Sequence, residues 1–147
     1  MQPSKAGLIV KPTLDTKFHI DYSWWERGEE DLRLYLLTHL PSDRRDVILA
    51  GAGNQVMDYV DPETAEVRQL DELELALQEA AQQTDFINPQ TSLIDSVFRV
   101  CIANGNRPRT PRELAADTGR NADIILKTLG GMRVYKGLRP LTTTNVS

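Results

Sequence analysis

Two patterns in the chain predict an α+β protein of two lobes. Val56-Met57-Asp58-Tyr59-Val60 and Glu66-Val67-Arg68-Gln69-Leu70 alternate apolar and polar residues on either side of Pro62-Glu63-Thr64-Ala65, as the strands and turn of a β-hairpin do. Elsewhere apolar residues recur at helical spacing behind Ser, Thr, Asp or Asn caps and ahead of glycine or proline stops. A chain of 147 residues buries one ordinary core, or a core with a small appended module. The hairpin-bearing residues 7–87 and the helical residues 90–141 are therefore expected as two lobes, with Asn88-Pro89 between them.

In chain order, Leu8-Ile9-Val10 reads as a short strand. Phe18, Ile20, Tyr22 and Trp24 alternate with polar residues as a half-buried strand would, until Arg27-Gly28 breaks the run. From Glu29 onward, Leu32, Tyr35, Leu36, Leu37 and Leu40 recur at helical spacing behind an acidic first turn, and Pro41 follows. That predicts an amphipathic helix ending near His39. Ser42-Asp43 is placed to cap a short helix through Leu49, and Gly51-Ala52-Gly53-Asn54 to form a loop. After the hairpin, Asp71 and Glu74 have the spacing of a capping box, opening a helix whose inner face is Leu73, Leu77, Ala80 and Ala81.

The second lobe is helical until its end. Ser92 and Asp95 open a helix carrying Leu93, Ile94, Val97, Phe98 and Cys101, which Asn104-Gly105 stops. Thr110-Pro111-Arg112-Glu113 combines a hydroxyl cap, proline at the first helical position and a glutamate that bonds back to the cap. That helix runs to about Thr118, because Gly119 is placed to turn the chain. Asn121 caps a further helix through Leu129, ended by Gly130-Gly131.

Composition and spacing exclude several classes. A hydrophobic fraction of 40% with 26% charged residues belongs to a globular protein, not a disordered tail. No apolar run approaches the ~20 residues that span a bilayer. Asp15 and Lys17 also follow Gly7-Leu8-Ile9-Val10 too soon for a secretory segment, so a cytoplasmic protein away from membranes is expected. Cys101, the single cysteine, is expected as a small core residue. His19 and His39 lack zinc spacing and are expected as polar surface or strand residues. Gly51-Ala52-Gly53 is similar to the start of a dinucleotide turn, but Val56 replaces the third glycine and Pro62 arrives before a helix develops. No glycine-flanked serine or Walker loop occurs. The chain is expected to be no enzyme and to need neither metal nor cofactor.

Net charge is −4, yet it is unevenly spread. Residues 101–147 hold eight basic side chains and three acidic ones, a balance of +5 that leaves −9 on the first hundred residues. Such asymmetry suggests a basic contact surface on an acidic body.

The stretch RTPRELAADTGRNADIILKTLGGMRVYKG, residues 109–137, resembles the helix-turn-helix superfamily. The resemblance rests on Gly119 in the turn, Ala115 four residues before it, Leu114 beside that alanine, and Ile125 six residues after the glycine. It departs from the pattern at Arg120, where an apolar residue is common, and at Thr128, where leucine is preferred. The resemblance implies a winged-helix-like lobe, with residues 92–104 as its third helix and Met132–Arg139 as a shortened wing. A helix entering a major groove would then read bases with Arg120 and Asn121 at its leading end, with Lys127 and Thr128 further along its polar side. Arg107, Arg109, Arg112, Arg133, Lys136 and Arg139 would meet phosphates. At 100° per residue, Ala122, Ile125, Leu126 and Leu129 share the core side of that helix. Ile124 falls among the polar residues and is expected to pack under the acidic lobe, with contact to a thymine methyl as the alternative.

Trp24-Trp25 is unusual in a chain with 6% aromatics; one ring is expected inward and one outward, as a partner-binding surface. The function expected is that of a DNA-binding accessory protein or transcriptional regulator contacting double-stranded DNA. Its acidic lobe would form a homodimer or hold a protein partner. The alternative is a non-enzymatic adaptor whose winged-helix lobe docks a protein.

Overall fold

The structure, a computed structural model, describes residues 11–51, 56–61 and 64–141. Among them are seven helices and two antiparallel strand pairs, an α+β fold, and no helix is long and apolar enough to cross a membrane. Leu8-Ile9-Val10 lies outside the described residues. The described residues pack as two units, one within Arg27–Phe86 and one of residues 11–26 with 87–141.

Strand β1 (Phe18–Ile20) is followed at once by helix α1 (Tyr22–Arg27), so the alternating run does not continue to Trp24 as a strand. Asp21 turns the chain. Its carboxylate accepts hydrogen bonds from the Ser23 N–H at 3.0 Å and hydroxyl at 2.6 Å, and its carbonyl accepts from the Trp24 N–H at 3.1 Å. An aspartate holding those donors starts a helix whatever the polarity pattern that follows.

Within Arg27–Phe86, α2 (Leu32–Leu37) begins one residue after its cap, Asp31, which accepts from the Leu34 N–H at 3.2 Å. Glu29 and Glu30 therefore precede the helix instead of forming its first turn. Helix α3 (Ser42–Ala50) follows Pro41 and ends at Gly51; Ala52–Gln55 lie outside the described residues. Since a helix and not a strand leads into Gly51, the likeness to a dinucleotide turn ends there. Strands β2 (Val56–Val60) and β3 (Val67–Asp71) pair antiparallel, Val56 opposite Asp71 and Val60 opposite Val67. Pro62 and Glu63 of the connecting turn are outside the described residues.

Helix α4 (Glu72–Ala81) starts with the expected capping box. Asp71 accepts from the Glu74 N–H at 2.8 Å, and Glu74 from the Asp71 N–H at 3.1 Å. Leu73, Ala76 and Leu77 are its buried face, Ala80 and Ala81 only half-buried, and Leu37, Leu40, Ile48, Leu70 and Phe86 are buried in the same unit. His39 is buried rather than at the surface, edge-on to the Tyr35 ring with centres 4.6 Å apart.

The other unit adds α5 (Leu93–Ala103), α6 (Pro111–Thr118), α7 (Ala122–Leu129) and β4 (Leu138–Pro140) to β1 and α1. β1 pairs antiparallel with β4, Ile20 opposite Leu138. On its other edge Phe18 exchanges backbone hydrogen bonds with Arg109 at 2.8 and 2.9 Å. The Asn106 amide continues the ladder, accepting from the Ile20 N–H at 2.8 Å and donating to its carbonyl at 2.9 Å. This double pairing is why residues 11–26, expected in the first lobe, pack with the helical residues. Phe18, Ile20, Trp25, Val97, Phe98, Cys101, Leu114, Ile125, Leu129 and Leu138 are buried in this unit. Burial pushes the Cys101 thiol up to about 12, the state of a structural cysteine and not a reactive one.

Candidate nucleic-acid interface

Helices α6 and α7 are fixed by their caps. The Thr110 hydroxyl accepts from the Glu113 N–H at 3.1 Å, and Glu113 accepts from the Thr110 N–H at 2.9 Å. That backbone donor, helped by the nearby Arg109 guanidinium, holds the Glu113 carboxyl below the usual carboxylate range. Gly119 closes α6 with φ 74° while its N–H reaches the Ala115 carbonyl at 2.8 Å. Only Gly119, Arg120 and Asn121 separate the helices, and Asn121 caps α7 by accepting from the Ile124 N–H at 3.0 Å. With Ile125 and Leu129 buried, the opposite side of α7 leaves Asp123, Ile124 and Lys127 exposed. The Thr128 hydroxyl on that side donates to the Ile124 carbonyl at 2.8 Å.

The segment after α7 is less of a wing than the resemblance implied. Leu138 N–H donates to the Tyr135 carbonyl at 2.9 Å, and Lys136 and Gly137 between them have φ 54° and 76°. Positive φ at both central positions is the pattern of a type I′ hairpin turn, which is as tight as a hairpin becomes. The turn is not free, because α1 covers it. The Trp25 indole N–H donates to the Lys136 carbonyl at 3.1 Å, and a Cβ on Gly137 would lie 2.8 Å from that indole nitrogen. Trp25 is only 5% exposed and meets Phe98 edge-on, so it is a core residue and offers a partner nothing. Trp24 stays half-buried, edge-on against Trp25 with ring centres 5.0 Å apart.

The ten polar and basic residues expected at the interface divide by what holds them. Arg109 is spent within the fold: its guanidinium bonds Asp117 at 2.9 to 3.0 Å through two nitrogens and Glu113 at 3.5 Å. Arg120 turns back from the leading end of α7 to the carbonyls of Thr91 and Pro89, serving the loop that enters α5. A guanidinium, with five donors in a plane, suits such a cluster of carbonyls. Arg139 reaches Asp21 at 3.5 Å, and the Lys136 backbone is fixed under Trp25. Arg112 pairs with Asp15 at 3.1 Å, but both side chains are more than half exposed, 62% and 78%, so the pair is weak and exchangeable. Arg107 is exposed.

Lys127, Thr128 and Arg133 are the residues that the structure brings together. They line an open groove of about 350 Å³ between the outer face of α7 and the segment after it, with Ile124, Met132 and Tyr135 as its apolar part. The Arg133 guanidinium lies 5.0 Å from the centre of the Tyr135 ring, a cation–π arrangement that steadies it. Ile124 is 55% exposed instead of packed away, and Met132 is fully exposed. Met132 and Tyr135 were expected only as part of the shortened wing and not as interface residues, since both lie beyond the last helical repeat; the place of Ile124 among polar neighbours gave the one signal for the apolar part. No cluster of three or more His, Cys, Asp or Glu placed to hold a metal occurs among the described residues. Comparison with protein-family models, curated proteins and solved structures finds no match to this chain.

Proposed function

We propose that the unit of residues 11–26 and 87–141 binds double-stranded DNA, as a DNA-binding accessory protein or transcriptional regulator acting in the cytoplasm. The observation that carries this reading is the open outer side of α7, where Lys127 and Thr128 lie beside Arg133, behind a left-handed turn at Gly119. Two short helices joined by such a turn form the helix-turn-helix arrangement, whose second helix lies in the major groove. On this reading Asn121, Ile124, Lys127 and Thr128 face base edges, and Arg133, Arg107 and Arg112 meet phosphates. Arg109, Arg120 and Arg139 hold the scaffold. One short helix reads few base pairs, so a second copy on an adjacent half-site is part of the proposal, with the acidic unit as the place where copies or a partner join.

Titrating a labelled duplex at low and at physiological salt tests the reading. Saturable binding should weaken with a log–log slope of about −3 to −4, since each phosphate contact contributes ~0.9 and three or four cations face outward. Binding that is absent, or indifferent to salt, contradicts it. A second reading, docking of an acidic protein segment, is favoured by the exposed Ile124 and Met132 beside Lys127 and Arg133. It predicts no saturable shift with duplex.

A further inference from the structure

Resting on the DNA reading, we infer that the groove beside α7 recognises thymine, with Ile124 against the thymine 5-methyl group. Ile124 is a β-branched side chain, stiff at χ1 in a helix, and it stands 55% exposed at the centre of an otherwise polar face. Asn121 lies one turn before it and Lys127 and Thr128 one turn after it, so base-reading and apolar groups share one side. Thr128 turns its hydroxyl back to the Ile124 carbonyl at 2.8 Å, so its methyl is what it adds to the groove. Met132 extends the apolar part.

Among the groups that the floor of a major groove presents, the thymine methyl is the apolar one. Phosphate gives Ile124 nothing, and the exposed carboxylate of Asp123 beside it would repel phosphate while accepting readily from a base amino group. Both neighbours therefore favour a pose facing bases over one lying along the backbone. The same chemistry selects DNA over RNA. Uracil lacks the methyl, and the deep, narrow major groove of A-form RNA does not admit a helix.

Duplexes about three DNA turns long, enriched from a random-sequence pool by the wild-type protein, provide the probe. They are then resynthesised with uracil in place of each thymine. Wild-type protein should bind the thymine duplexes about fourfold more tightly per contacted base, the effect of one buried methyl-sized group. Ile124→Ala, a change at an exposed position, should lose most of that difference, and Ile124→Val should keep more of it; an Ile124→Ala protein that keeps the full difference overturns the assignment to Ile124. Enrichment followed by equal wild-type affinity for the thymine and uracil duplexes overturns the thymine inference and leaves DNA binding standing. Failure to enrich any duplex overturns the DNA reading itself.

Discussion

The α6 side and the α7 outer face of one unit carry their cations in opposite ways. On the α6 side Arg109 is gripped by Asp117 and Glu113, and Arg112 meets Asp15. On the α7 face Lys127 and Arg133 have no ion pair within 4.0 Å among the described residues, although Asp123 lies one helical turn from Lys127. A guanidinium already bonded through two nitrogens to a carboxylate gains little from a phosphate, because one charge-assisted bond is exchanged for another. Positive charge counted along the sequence therefore overstates the surface that a polyanion meets. Arg109 beside α6 is fold, Arg112 and Arg107 remain open to phosphate, and the cations near α7 are the centre of the site.

The sharpest way to break this division is to damage the scaffold and watch the site. Trp25→Ala should cost about 3–5 kcal/mol in urea unfolding, since it empties a core position and removes the indole donor to the Lys136 carbonyl. For the same reason residues 90–141 alone should fail to fold cooperatively. A fully stable Trp25→Ala protein would show that α1 does not hold the turn.

Gly119 and Gly137, at φ 74° and 76°, separate close packing from backbone preference. Gly119→Ala should cost only the left-handed backbone, about 1–2 kcal/mol, as nothing lies within 4 Å of a Cβ there. Gly137→Ala adds a clash with the Trp25 indole and should cost clearly more in the same unfolding measurement. Next in size, Arg109→Ala should lose about 1.5 kcal/mol of stability and leave the salt slope of duplex binding unchanged. A lower slope would return Arg109 to the interface.

The pH dependence of stability probes the interior of the same unit. The folded state keeps the Cys101 proton up to about 12, whereas an exposed thiol loses it near 9. Stability is therefore intact below about pH 9 and falls as pH rises toward 12, because the unfolded chain binds fewer protons in that window. Cys101→Ala should flatten this decline, measured by urea unfolding across the alkaline range. The smallest effect on stability belongs to the site: Lys127→Ala should shift it by under about 0.5 kcal/mol while lowering the salt slope by about one.

Much of the fold was legible in the sequence wherever a local bond decides it. The Asp71–Glu74 and Thr110–Glu113 capping boxes, the Asn121 cap and the β2–β3 hairpin all lie at the residues that their side chains predict. Alternation failed at Tyr22–Trp25, where the Asp21 cap outweighed polarity pattern. The pairing of β1 with β4 and Arg109 joins residues about 90 to 120 positions apart, and no local signal announces it. Within the candidate site, Lys127 and Thr128 were legible from helical spacing. The roles of Arg109, Arg120 and Arg139 were not, because each depends on an acceptor brought near by the fold.

Backbone amide chemical shifts of the isotopically labelled protein, followed while a duplex is added, test the central claim most directly. The account predicts that the largest changes fall on residues 121–128 and 131–135, with Glu113–Asp117 nearly still. Changes centred on α6, or on Arg27–Phe86 with α7 silent, would contradict it.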